Sequence, residues 1–248
     1  MLTTHKVSKH FGSFEALKNI SFEVKKGEIV GFLGQNGAGK TTLMRILTAF
    51  LPASSGTVIM DGEDLSEHSL SIRKKIGYLP ETPPLYMDMT VEDYLKFAGR
   101  IKDVPLSRLR YQLDKVLGEC QLKEVRTKNI GILSKGYKQR VGIAQAIIHD
   151  PKLLILDEPT SGLDPIQNLQ IRSLIKDLKG ERTVILSTHI LSEIEQIAHR
   201  VLIIKSGQII VDGLLVEILK KASRDPLKRL SLEEYFVQCH STVGEAHE

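Results

Sequence analysis

Two cysteines in 248 residues, Cys120 and Cys239, stand without a CxxC spacing. That argues against a zinc site, even with His240 beside Cys239, and fits ordinary thiols in a reducing compartment. No apolar run reaches the roughly 18 residues that cross a bilayer, so any role at a membrane must come through a partner. The first turns carry charged and polar residues, unlike a secretory leader, and a soluble protein is expected. Lys and Arg outnumber Asp and Glu by only 34 to 30. The basic residues form no block, which argues against nucleic acid as a partner. Internal repeats and low-complexity tracts are missing too. What remains is an ordinary globular composition, 42% hydrophobic and 26% charged, in a chain long enough for one large core or two small ones.

Apolar runs mark out an α/β chain. Phe22 and Val24, then IVGFL at 29–33, read as strands separated by Lys25-Lys26-Gly27, within a first stretch of short alternating runs. A helix is expected over 42–50, with Leu43, Ile46 and Leu47 on one face and Pro52 ending it. A strand over 56–60 turns at Asp61-Gly62. Residues 82–150 carry helical periodicity, through Tyr94, Leu95, Leu106, Leu109, Leu113 and Val116, and read as an insertion. LLIL at 153–156 is the continuous apolar run of a parallel strand buried on both faces, and 184–187 is another. Runs at 201–204 and 208–211 flank Lys205-Ser206-Gly207 as a late hairpin. Helix is expected beyond Gly213, with Ser231 and Glu234 spaced as a capping box and a frayed end at 241–248. The expected division is a main domain over 1–222, with the helical part inserted at about 82–150, and a C-terminal helix and tail over 223–248.

GQNGAGKT at 34–41 fits GxxxxGK[ST] between a strand and a helix. Glycines there let backbone N–H groups converge on a polyphosphate, and the helix adds the positive end of its dipole. Gly34, Asn36, Gly37, Ala38 and Gly39 are the candidate backbone contacts. Lys40 is placed to reach the β- and γ-phosphates, Thr41 to ligate Mg²⁺ and Thr42 to touch the α-phosphate. The motif speaks for a nucleoside triphosphate without separating kinases, GTPases and ATPases. Asp157, ending the LLILD run, lies where ligands bind in α/β sheets and could hold Mg²⁺ through water. Glu158 next to it could polarise an attacking water. By itself such a pair could also be a solvated acidic turn; the phosphate loop gives it a purpose. His189 follows the 184–188 strand and could bond the γ-phosphate and that water.

The order of these segments is informative. The phosphate loop, GYLPE at 77–81, LSKGYKQR at 133–140, LLILDEPTSGLD at 153–164 and STH at 187–189 together resemble the nucleotide-binding domain of ABC transporters. The likeness runs from about residue 3 to 213, and DEPTSGLD is its most specific part. It implies a P-loop NTPase of the ABC type, with a mainly parallel core, an N-terminal antiparallel β part and the helical insertion. It implies ATP hydrolysis with Mg²⁺, catalysed with Glu158, His189 and Glu81. Phe11 falls where the family stacks an aromatic on adenine. Ser134 and Gly136 fall in the signature that grips the γ-phosphate bound to a second ATPase subunit, and Asp164 in the loop that crosses to that subunit.

Two segments depart from the family pattern. Lys135 and Tyr137 stand where LSGGQ has Gly and Gln, and Glu81 stands for the usual Gln, a carboxylate still able to serve Mg²⁺ as a hard oxygen ligand. Both departures are similar to separate-subunit ATPases of exporters of drugs, sodium or gliding-motility type. The implied partners are a second ATPase subunit, as a homodimer, and integral membrane permease subunits on whose cytoplasmic face the chain would sit. The competing reading is an ABC ATPase without a transport role. A GTPase lacks its NKxD motif here. Leu85, Tyr86, Met87 and Met89 could face a partner helix or be the insertion's own core. Leu230, Leu232, Tyr235, Phe236 and Cys239 could dock a helix on its own domain or regulate it.

Overall fold

The structure, a computed structural model, describes residues 1–178, 182–222 and 231–241. The chain opens on a hairpin of β1 (Leu2–Phe11) and β2 (Phe14–Val24), then enters β3 (Ile29–Leu33), α1 (Lys40–Leu47), β4 (Ser55–Met60), β5 (Glu63–Asp64), α2 (Ser69–Lys75) and β6 (Ile76–Leu79). Three helices follow, α3 (Val91–Ile101), α4 (Leu106–Glu119) and α5 (Lys135–Ile147). Then come β7 (Leu153–Asp157), α6 (Pro165–Asp177), β8 (Thr183–Thr188), α7 (Leu191–Ile197), β9 (Arg200–Lys205), β10 (Gln208–Leu214), α8 (Leu215–Ala222) and α9 (Leu232–Ser241).

Among the described residues the strands form two sheets. One has the order β10-β9-β3-β8-β7-β6, parallel from β9 to β6 with β10 antiparallel at the edge. The other, β2-β1-β4-β5, is antiparallel. β3 and β7 are buried at every position, as their unbroken apolar runs require. Alternate side chains feed two cores. Leu33, Leu156 and Leu186 join those of α3 to α7, while Phe32, Ile155 and Ile185 join the antiparallel sheet and α1. Each fully buried Leu or Ile contributes roughly 1.5–3 kcal/mol over exposure.

The first strands are longer than their alternation suggests. Register shifts at Thr4/Val7, Val7/Lys9 and Lys9/His10, with Lys6 at φ 46°, break the period of two that makes a strand visible. The expected 42–50 helix starts two residues earlier and ends at Leu47, before Pro52, because Ala49 takes φ 56°. The late hairpin is present and turns at Ser206 and Gly207, both at positive φ. The capping box closes as expected: Ser231 N donates to Glu234 Oε2 at 2.9 Å and Glu234 N to Ser231 Oγ at 3.2 Å. Of the expected frayed end, 242–248 lies outside the described residues, as does Leu230.

Candidate functional site

Three segments meet where β3, β7 and β8 end. After Leu33 the backbone wraps through the Gly34–Gly39 loop, and α1 starts at Lys40 with no side-chain cap on its first N–H groups. Those groups are free to bind an anion. Gly39 sits at φ 108°, where a side chain is strained, and a Cβ there would come within 2.9 Å of Ala16 O. The sequence GxxxxGK therefore codes for a backbone shape as much as for a set of groups. Lys40 is buried and curls over the loop, donating to Gly34 O at 2.7 Å and Gln35 O at 3.3 Å. Thr41 and Thr42 follow, half-buried.

Asp157 and Glu158 end the neighbouring strand. Asp157 is fully buried; Ser187 Oγ donates to its Oδ1 at 2.5 Å, while Oδ2 has no partner. An orphaned buried carboxylate oxygen is costly and marks a position suited to a cation. Tyr78 lies close by, and burial together with the Asp157 carboxylate pushes its phenol up to about 12. Glu158 adopts φ 49°, unusual outside glycine, with its N–H donated to Ser187 O at 3.0 Å. That backbone turn aims the side chain inward. Glu158 Oε1 is 3.5 Å from Lys40 Nζ, and Oε2 is 2.7 Å from His189 Nδ1. His189, 48% exposed, opens this row to solvent. Lys40, Glu158 and His189, far apart in sequence, are thus one connected cluster.

The other expected residues lie around it or apart from it. Glu81, after β6, is exposed and accepts from Ser161 Oγ at 3.4 Å, three residues beyond Glu158. Phe11 is 49% exposed at the end of β1, so it is not a core residue, and Lys9 Nζ stands 5.3 Å from its ring centre. Ser134 caps α5 and Asp164 caps α6, accepting from Tyr137 N at 3.4 Å and Gln167 N at 2.8 Å. These helix starts stand side by side. Gly136 lets Gln167 approach, and a Cβ at Gly136 would fall 2.8 Å from its Cδ. Ser134, Gly136, Asp164, Tyr137, Arg140 and Gln167 line a cavity of about 720 Å³. No residue of the phosphate loop, and neither Asp157 nor Glu158, lines it.

The remaining motif residues divide between surface and core. Lys135 lays its ammonium against Gly162 of the DEPTSGLD loop. Tyr86 and Met87 are exposed, while Leu85 and Met89 turn inward, so that segment splits between surface and core. Sequence reading missed Ser187, Thr160 and Glu193. Ser187 and Thr160 stood inside quoted motifs with no role given, and Glu193 lay outside every quoted motif.

A parallel sheet whose strand ends carry a phosphate loop, a carboxylate pair and a histidine defines a nucleoside triphosphatase of the P-loop class. Comparison with known proteins narrows the class. The family model described as ABC transporter matches residues 17–161, more than half of the chain. The chain is 40% identical over 234 residues to the uncharacterized ABC transporter ATP-binding protein YxlF of Bacillus subtilis, covering 94% of this chain and 77% of that one. It is 39% identical over 230 residues to the bacitracin transport ATP-binding protein BcrA of Bacillus licheniformis, covering 92% and 74%. Among solved structures, a dimeric ATP-binding cassette in a post-hydrolysis state with ADP and Pi aligns with a TM-score of 0.78 at 26% identity, over 87% of this chain and 99% of that one. The chain belongs to the ABC transporter family as one of its ATP-binding subunits, which bind and hydrolyse ATP to power transport through a separate permease. Among the described residues no helix is long and apolar enough to cross a membrane.

Proposed function

We propose that this chain supplies one half of each of two ATP sites, closed when two copies meet head to tail, and that the closure drives a membrane permease toward export. The observation carrying this is the separation of parts. The Lys40–Glu158–His189 cluster forms one site, and the Ser134–Gly136–Asp164 cavity is another that shares none of its residues. The phosphates of ATP would replace Gly34 O and Gln35 O as partners of the Lys40 ammonium and take the N–H groups of Asn36, Gly37, Ala38 and Gly39. Thr42 would reach the α-phosphate, and Phe11 would stack on adenine through its exposed face. Thr41 and Asp157, with Glu81 at the edge, fit a Mg²⁺ ion because Asp157 Oδ2 lacks any partner. Bound there, Mg²⁺ would offset charge on the β- and γ-phosphates.

Glu158, held by backbone turn and by His189, would orient the attacking water and accept its proton, while His189 would bond the γ-phosphate. Ser134 and Gly136 of the second copy would grip that phosphate from the other side, with Asp164 in the loop between the sites. ATP then favours the closed pair more than ADP does, and this differential affinity moves the equilibrium. The dimeric cassette aligned above and the transport role named for the bacitracin relative support this reading. Permease subunits at the cytoplasmic face would receive the motion, with Tyr86 and Met87 as exposed apolar contacts.

The test is Glu158→Gln. It should bind MgATP, turn it over at least about a hundredfold more slowly, and run as a dimer in light scattering with ATP but not with ADP. Turnover at the wild-type rate, or a monomer with ATP, would refute the proposal.

A further inference from the structure

Behind the cluster lies a second carboxylate. Glu193, in the first turn of α7, is buried, as are Thr160 and Thr188. Thr160 Oγ1 donates to Glu193 Oε2 at 2.8 Å, and Thr188 Oγ1 donates to the same oxygen at 3.1 Å. Thr188 Oγ1 also accepts from Ile190 N at 3.0 Å, closing a local turn around His189. The other oxygen, Oε1, is buried without a partner. Thr160 stands two residues after Glu158 and Thr188 one residue before His189. One oxygen therefore joins the two loops that carry the water-orienting pair.

The helix bearing Glu193 is itself fixed. Ile194, the next residue, packs onto Gly31 in the middle of β3 so closely that a Cβ there would fall 2.5 Å from Ile194 Cδ1. β3 runs directly into the phosphate loop. A rigid path thus leads from that loop through α7 to Glu193, and from Glu193 to both catalytic loops. Stability alone does not favour this arrangement, since a buried carboxyl oxygen without a partner costs free energy that an apolar side chain would avoid. We infer that Glu193 is a positioning residue for hydrolysis: through Thr160 and Thr188 it holds Glu158 and His189 at a fixed setting relative to the phosphate loop.

The inference rests on Glu158 and His189 performing the chemistry. The experiment is steady-state ATPase kinetics of the full chain for Glu193→Leu, Glu193→Gln and the double variant Thr160→Val/Thr188→Val, with Glu158→Gln alongside. Misplacement of a catalytic group costs rate rather than binding, so kcat of Glu193→Leu should fall at least roughly tenfold while KM for ATP moves by less than about threefold. Glu193→Gln keeps an acceptor oxygen for both hydroxyls and should recover kcat to within about threefold of wild type. The double valine variant leaves Glu193 in place but removes both donors, and should reproduce the kcat loss even if Glu193→Leu does not fold. Unchanged kcat in the double variant, or a loss in Glu193→Leu that Glu193→Gln fails to recover, would overturn the inference. Wild-type turnover in Glu158→Gln would instead overturn the reading of the site on which it stands.

Discussion

Lys40 shows what a single side chain does before any nucleotide arrives. Its ammonium is buried, and a buried cation without partners would be costly, so it borrows Gly34 O, Gln35 O and the Glu158 carboxylate. These are weak holds compared with a polyphosphate, and the side chain is already pointed at the loop. Charge-assisted hydrogen bonds are worth about 1.5–3 kcal/mol each, so Lys40→Ala should weaken MgATP binding by at least tenfold by titration calorimetry. Unaltered affinity would remove Lys40 from the phosphate site. The chemical types of the cluster were legible in the sequence, because GxxxxGKT, LLILDE and STH each place a reactive side chain at a strand end. Ser187 and Glu193 were not legible in the same way. Their importance comes from hydrogen bonds to residues about thirty positions distant, and no local pattern encodes such a pairing.

At the scale of elements, the helices α3 to α5 are held to the sheet by buried polar contacts as well as by apolar ones. Arg182, at the start of β8, is buried and pairs with Asp150 at 2.9 Å and Glu119 at 3.7 Å, beside the ends of α5 and α4. His149, just beyond α5, sets Nε2 3.1 Å from Ile76 O on β6. Burial, with the neighbouring Lys102 charge, pushes its pKa down to about 4 from 6.5. The folded state therefore binds this proton less readily than the unfolded chain. Its contribution to stability is complete above about pH 6.5 and is lost progressively as pH falls toward 4. The thermal midpoint of the wild type should drop more steeply across that window than the midpoint of His149→Gln. Parallel curves for the two would show that His149 is not buried neutral in the fold. The periodicity of 82–150 announced helices, and Tyr94, Leu95, Leu109, Leu113 and Val116 are buried among them, while Leu106, at the start of α4, is exposed. Which strand they lean on was hidden, since no local pattern ties Arg182 or His149 to its distant partners.

For the whole molecule, the decisive feature is that the phosphate loop and the α5–α6 cavity are separate. If two copies build each site between them, damage to the two parts should complement. Chains carrying Lys40→Ala and chains carrying Gly136→Asp should each hydrolyse ATP poorly. A mixture should recover turnover above either parent, because a mixed pair contains one site with an intact Lys40 and an intact Gly136. Failure to recover on mixing would mean that each site is complete within one chain. The sequence by itself determined the class of protein, the order of its strands and helices where apolar periods were unbroken, and the residues fit for phosphate chemistry. Short-range patterns suffice for those, since a turn, a strand end and a helix start are set by neighbouring residues. Only the tertiary structure decided that Lys40, Glu158 and His189 share one cluster, that Glu193 ties the loops behind it, and that the signature helix start faces a different cavity. Those facts depend on which strands lie side by side and on how α5 and α6 meet, and burial across the whole core settles that.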